Sequence, residues 1–204
     1  MLKILGHPAS SNVQKVLWCC GELELPFERR DIGGSFGGNR TAEYLALNPN
    51  GLVPTIDDDG FILWESNVIV RYLAARHAPN ALYPTDLRQR ADAERWMDWQ
   101  QTTLSAPMGV LFRALLRKPA EQVDSTALEA ARGKASASWE ILDRALADRS
   151  YVAGTKLTIG DIALGNAIHR WYRLPVERPA LQRLEAWYAR LCARPAYRQY
   201  IAGV

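Results

Sequence analysis

Three short stretches carry residue types that can do ligand chemistry. The first is His7-Pro8-Ala9-Ser10-Ser11-Asn12. Its hydroxyls and amide precede a run with helical apolar spacing. Donors at a helix N-terminus can lower a thiol's pKa and stabilise its anion; the plain alternative is helix capping. The second is Asn48-Pro49-Asn50-Gly51-Leu52-Val53-Pro54. A proline entering a strand cannot donate to the ladder. One option there is a cis peptide after Val53, which would leave the Val53 N–H and C=O to pair with a peptide-like ligand as an added strand. A simple strand-entry proline is the other. The third is Glu65-Ser66-Asn67, opening a helix just after a strand. Unpaired N–H groups at a helix start attract anions, Ser66 adds a hydroxyl donor, and Glu65 can pair with an ammonium. Together they suit an α-amino group beside an α-carboxyl; an ordinary cap is the alternative.

The surrounding pattern supplies elements to position these stretches. Leu2–Gly6 reads as a strand. Val13, Val16, Leu17, Cys20 and Leu23 predict a helix from about 12 to 24, stopped before Pro26. Phe27–Ile32 reads as a second strand, followed by a loop rich in Gly33, Gly34, Gly37 and Gly38. Thr41 caps a short helix to Leu47. Val53–Ile56 and Phe61–Leu63 form a hairpin across Asp57-Asp58-Asp59-Gly60, and a helix follows with Val68, Ile69, Tyr72 and Leu73 on its apolar face. This is a small α/β domain over residues 1–78, with a linker at 79–86 between Pro79 and Pro84. Residues 87–204 predict an all-helical domain, with helices at about 87–117, 124–147, 160–172 and 180–192 and a kink or break near Pro107.

Composition narrows the function classes. The chain has 204 residues, 48% apolar and 23% charged, with a net charge of +3 and dispersed arginines. That argues against a nucleic-acid partner. No apolar run reaches the ~20 residues of a membrane span, and the first residues are too short an apolar run for a signal peptide; the cytoplasm is the expected compartment. Cys19, Cys20 and Cys192 are an odd count with an adjacent pair, unlike a disulfide scaffold. Cys19 and Cys20 read as packing residues in a helix. No metal-ligand spacing links His7, His77 and His169 to each other or to the cysteines, so no metal is expected. Trp96, Trp99 and Thr103 share a helical stripe with Met108 and Phe112 near in sequence. They read as core, or as one wall of an apolar substrate pocket.

Taken in order, Ser10–Val16, Asn48–Pro54 and Glu65-Ser66-Asn67-Val68-Ile69-Val70-Arg71-Tyr72-Leu73 resemble the N-terminal domain of glutathione S-transferases, of a bacterial, serine-type, theta- or nu-like kind. Gly154–Ala163 resembles that family's capping motif. In it Thr158 is an N-cap, Asp161 stands at N3, and Leu157 and Ile162 form a hydrophobic staple. The resemblance spans nearly the whole chain. It implies a thioredoxin-like domain followed by a helical one, a homodimer in the cytoplasm, a detoxification role, and glutathione as co-substrate for attack on a small, apolar electrophile. A glutathione-dependent disulfide reductase or peroxidase is the second implied activity; a non-catalytic binding protein is the third. By position in the motif, Val53 before a cis Pro54 would bind the cysteinyl backbone, and Glu65 and Ser66 the γ-glutamyl end. The thiolate would be held by Ser10 first, Ser11 second, with Asn12 as an amide donor. Many serine-type relatives carry a lysine where this chain has Leu52. Loss of a charge-assisted hydrogen bond to the glycyl carboxylate of ~1.5–3 kcal/mol weakens binding ~10-fold or more, with Asn39, Arg40 or a partner subunit as the candidates to compensate.

Overall fold

Leu2, Ile4 and Leu5 are buried while Lys3 is exposed, so the first run forms strand β1 (Leu2–Leu5) with its apolar residues turned inward. A computed structural model describes residues 1–77, 81–116 and 123–203. The expected break at Ala78-Pro79-Asn80 and the expected helix end at residue 117 lie outside those residues. After β1 come α1 (Ser11–Glu22), β2 (Phe27–Arg30), α2 (Ala42–Leu47), β3 (Thr55–Asp58), β4 (Phe61–Trp64) and α3 (Ser66–His77). β2 ends two residues before the expected Ile32, which instead packs with Leu5 and Tyr44. The four strands form one mixed sheet in the order β2-β1-β3-β4. β1 and β2 are parallel; β3 is antiparallel to both β1 and β4.

The register fixes what lies at each end of the sheet. Leu5 pairs with Arg30 on one side and Thr55 on the other, and Thr55 pairs with Trp64. These four residues form one row across the sheet. The chain leaves β1, β2 and β4 just beyond this row and enters β3 just before it. Four connections therefore share one edge.

The remaining helices are α4 (Leu87–Trp99), α5 (Ser105–Leu116), α6 (Ser125–Ala145), α7 (Ile159–Arg173), α8 (Gln182–Cys192) and α9 (Pro195–Tyr197), the last continued by a π-helical turn at Arg198–Ala202. By internal contact the chain divides into one unit of residues 1–83 with 194–204 and another of residues 84–193. In the first unit the C-terminal stretch lies along α1. Tyr197 meets Trp18 edge-on at 4.8 Å, and Arg194 donates to the Glu22 carboxylate at 2.7 Å. In the second unit the expected disturbance near Pro107 is a π-helical turn at Gln100–Leu104. Pro107 has no N–H to offer one turn back, and the Ser105 hydroxyl donates to the Gln100 carbonyl at 2.9 Å.

Asp161 organises the start of α7. It is fully buried, and it accepts from the N–H of Thr158 at 2.8 Å, the reciprocal arm of a capping box. The Thr158 hydroxyl (3.0 Å), the Val152 N–H (3.0 Å) and the Trp187 indole (2.9 Å) also donate to it. Burial pushes its pKa up, and these four donors pull it back. Asp161→Ala would leave those donors without their acceptor. The expected loss is about 3 kcal/mol or more, read as a lower urea midpoint followed by tryptophan fluorescence.

Candidate active site

The edge defined by Arg30, Leu5, Thr55 and Trp64 gathers the residues singled out from the sequence. Ser10–Asn12 follow β1, Asn39 and Arg40 follow β2, Leu52–Pro54 precede β3, and Glu65-Ser66 follow β4. Their packing is close. Gly6 has φ +156°, and a methyl there would come within 2.5 Å of the Val13 side chain and 3.3 Å of Val53 Cβ. Only glycine lets the end of β1, the start of α1 and the Val53 loop meet.

At the start of α1, Ser10 occupies the N-cap with extended backbone, and its side chain makes no capping bond. Its hydroxyl is half-buried and lies outside the helix's own hydrogen bonding. Ser11 is the first helical residue and is half-buried; Asn12 is exposed. The capping alternative therefore does not account for Ser10.

Val53-Pro54 is a cis peptide. Neither the N–H nor the C=O of Val53 has a hydrogen-bond partner among the described residues. The preceding carbonyl, that of Leu52, is held twice. It accepts from the Tyr44 hydroxyl at 2.6 Å and from the Asn48 amide at 2.9 Å. The same amide donates to the Thr55 hydroxyl at 3.1 Å, and Thr55 lies 2.9 Å from the Tyr44 hydroxyl. Because Tyr44 spends its one proton on Leu52, Thr55 donates to Tyr44. Asn48 Oδ1 closes the set by accepting from the Asn50 N–H at 3.1 Å. Tyr44, Asn48 and Thr55 are all buried. Burial pushes the Tyr44 hydroxyl's pKa up, against the pull of Thr55 and Asn48. Sequence reasoning passed over Tyr44 and Thr55, because nothing local says that a tyrosine on α2 will reach a strand eleven residues on.

Leu52 itself is 60% exposed, and no charge stands at its position. Beside it, Asn39 donates to the Gly51 carbonyl at 2.7 Å, and Arg40 Nη1 lies 3.4 Å from the Asn50 carbonyl. Gly51, at φ +60°, is needed here: a methyl would fall 2.7 Å from Arg40 Nη1 and 2.9 Å from the Asn39 carbonyl. Arg40 is exposed and its guanidinium rests against this loop.

Glu65 is exposed and takes a left-handed backbone (φ +74°), its carbonyl accepting from the Ile69 N–H at 2.9 Å. Ser66 and Asn67 open α3 and are buried. Asn67 Oδ1 accepts from the Lys15 ammonium at 3.2 Å. Lys15 is only 4% exposed. Burial lowers its pKa to about 8, and the Glu65 carboxylate partly offsets that by favouring the charged form. Lys15 falls outside the apolar stripe read from the sequence. It is buried because α1 is enclosed on more than that stripe: α3 and the C-terminal stretch both pack on it. Its one sequence signal is a lone lysine that follows Gln14 directly before the apolar run Val16–Cys20.

Cys19 and Cys20 are both buried, as packing residues should be; burial pushes the Cys20 thiol up to about 12 and that of Cys19 up as well. The His7 ring packs near Phe36, with centroids 6.2 Å apart. Of the stripe assigned to core or to a pocket wall, Trp96 and Met108 are buried, Trp99 and Phe112 half-buried and Thr103 exposed.

Comparison with known proteins fits this arrangement. Residues 9–76 match the family model for the glutathione S-transferase N-terminal domain, and residues 125–190 that for its C-terminal domain. The chain is 40% identical to glutathione S-transferase GstB of Escherichia coli K12 over 203 residues, 98% of each protein. It is 30% identical to human glutathione S-transferase theta-2 over 175 residues, 82% of this chain and 70% of the human one. Among solved structures, the theta class glutathione S-transferase of Xanthomonas axonopodis pv. citri with glutathione bound superimposes with a TM-score of 0.94. That pair is 45% identical, covering 98% of this chain and 96% of the other.

Lys15 gives the fold a testable pH dependence. Its ordinary pKa of 10.5 describes the unfolded chain, and about 8 the folded one. Below pH 8 both states hold the proton and the folded state bears the full cost of the buried charge. Between these values the folded state releases a proton that the unfolded state keeps, so stability rises with pH. The parent's denaturation midpoint is therefore expected to rise from pH 7 to pH 10, and Lys15→Met, which has no ammonium to titrate, should lack that rise; a midpoint that climbs equally in both proteins would rule Lys15 out as its source.

Proposed function

The chain belongs to the glutathione S-transferase family, and on that premise we propose that it binds glutathione along the shared sheet edge and activates the thiol for attack on a small, apolar electrophile. What supports this reading is the register: the loop after β1 with Ser10, the Val53 loop, whose main chain has no partner among the described residues, and the Glu65-Ser66 helix start all adjoin one row of paired residues. The Val53 N–H and C=O bind the cysteinyl unit as an added strand. Ser66 and the start of α3 take the α-carboxylate, and Glu65 takes the α-ammonium. Arg40, with Asn39 shaping the loop, supplies the charge toward the glycyl carboxylate that Leu52 does not.

Ser10 then donates its hydroxyl proton as a hydrogen bond to the thiolate sulfur, helped by the N-terminal dipole of α1. Ser11 is the alternative donor and Asn12 an auxiliary amide. The sulfur's electron pair forms a C–S bond to the electrophilic carbon, and the leaving group departs with its own pair. Burial holds the Cys19 and Cys20 thiols in the neutral form, in keeping with a reactive sulfur supplied by the substrate. The reading also carries a cytoplasmic homodimer. Phe61, Trp64 and Val68, exposed on β4 and the first turn of α3, are the apolar surface it gives to a second copy. Sedimentation of the full chain tests that part.

For catalysis the test is conjugation of glutathione to an aryl halide, run beside reduction of a model disulfide. Ser10→Ala is expected to lower kcat/KM about 100-fold near pH 7 and to raise the pH at which the bound thiol ionises by about 2. Ser11→Ala should change kcat/KM only severalfold. If neither variant alters conjugation, the hydroxyl role is wrong; if disulfide reduction dominates in the parent, the redox activity replaces conjugation. Arg40→Ala is expected to raise KM for glutathione about 10-fold while turnover at saturation holds.

A further inference from the structure

The γ-glutamyl subsite proposed above contains an electrostatic conflict. Glu65 is there to meet the α-ammonium, yet the α-carboxylate of the same ligand must sit within a few bonds of it. Two carboxylates in one small site repel, and the start of a helix contributes only a partial positive charge.

Lys15 is placed to resolve this conflict. It projects from the middle of α1 toward the first turn of α3, and its ammonium donates to Asn67 Oδ1 at 3.2 Å. Lys15 and Asn67 are 4% and 2% exposed, so this bond is on the inner, dry side of the helix start, where charge acts with little screening. Asn67 follows Ser66 directly and fixes where the ammonium lies relative to the subsite. Packing alone gives no reason for a lysine: a methionine of similar length would fill the space without a charge to desolvate. We infer that Lys15 is a specificity-determining residue of this site: its buried ammonium, anchored by Asn67, balances Glu65 and so admits the α-carboxylate of the γ-glutamyl group. The inference rests on the glutathione reading.

Removing a positive charge disfavours a ligand's anionic group and not its cationic one. A structural loosening would instead weaken all ligands alike. The experiment therefore compares two probes by calorimetric titration of the full chain: glutathione, and 4-aminobutyryl-Cys-Gly, which keeps the amino group but lacks the α-carboxyl. In the parent protein glutathione should bind more tightly. In Lys15→Met, glutathione should bind about tenfold more weakly while 4-aminobutyryl-Cys-Gly keeps its affinity, so the preference for the carboxylate collapses. Steady-state assays should place the loss on KM for glutathione and not on KM for the electrophile. Asn67→Leu, which keeps the charge but removes its anchor, should show the same pattern more weakly and carries the test if Lys15→Met does not fold. A parent chain that does not bind glutathione overturns the glutathione reading itself. A parent that binds, with variants whose preference for glutathione over the decarboxylated probe is unchanged, overturns the role of Lys15 alone.

Discussion

The site depends on a reversal of chain direction between β1 and β3. Had β3 run parallel to β1, Val53-Pro54 would enter at the opposite end of the sheet from the loop after β1. Because it runs antiparallel, the loop leaving β1, the loop entering β3 and the turn leaving β4 all meet at the row of Leu5, Thr55 and Trp64. The parallel partner β2 brings its own following loop, with Asn39 and Arg40, to the same edge. A register shift of one residue would turn Thr55 away from Tyr44 and Ile56 out of the core. Ile56 is fully buried, and that burial locks the register.

Register alone does not hold an irregular loop against a strand end. The Asn48–Pro54 segment has few chances to form ladder bonds, so its main chain must be satisfied by side chains. Tyr44, Asn48 and Thr55 do this by converging on the Leu52 carbonyl and on one another. With every donor matched, the network holds the Leu52 carbonyl inward and leaves the next residue's N–H and C=O, those of Val53, toward the edge. The Tyr44 hydroxyl is thus committed to structure, which is in keeping with the proposal that the thiolate's partner is a hydroxyl at the start of α1.

Legibility in the sequence followed the range of the interactions. Val53-Pro54 and Glu65-Ser66 could be singled out because each depends on local rules: a proline at a strand start, and small polar groups opening a helix. Thr158 and Asp161 were readable for the same reason, since a capping box is closed within four residues. Short runs bounded by turn residues pointed to the four strands, although the second was expected to reach Ile32 and ends at Arg30. Three things were not legible. The link from Tyr44 to Thr55 spans eleven residues and depends on where α2 docks. Lys15 lies on a helix enclosed by two elements, α3 and the C-terminal stretch from Arg194 onward, and the return of that stretch to α1 has no local signature. And the break ahead of Pro107 falls in Gln100–Leu104 rather than at the proline, because a missing N–H is felt one turn earlier.

The same contrast bears on the proposed recognition of a zwitterion at one short helix start. A helix N-terminus by itself selects for negative charge, and an exposed glutamate by itself selects for positive charge. Set side by side they would weaken each other, unless a second positive charge lies close by. The buried ammonium of Lys15, bonded to Asn67 at the start of α3, is such a charge, at a cost in desolvation that an apolar residue would not bear. On the proposed reading, Ser66 and the α3 amides then face the carboxylate while Glu65 faces the ammonium, so that the ligand's two charges are read in a fixed order along the edge. Arg40, proposed for the glycyl end, differs: it is exposed and rests on the Asn50 carbonyl, where water screens its charge. On that reading a buried charge at one end would select the ligand and an exposed charge at the other would add grip.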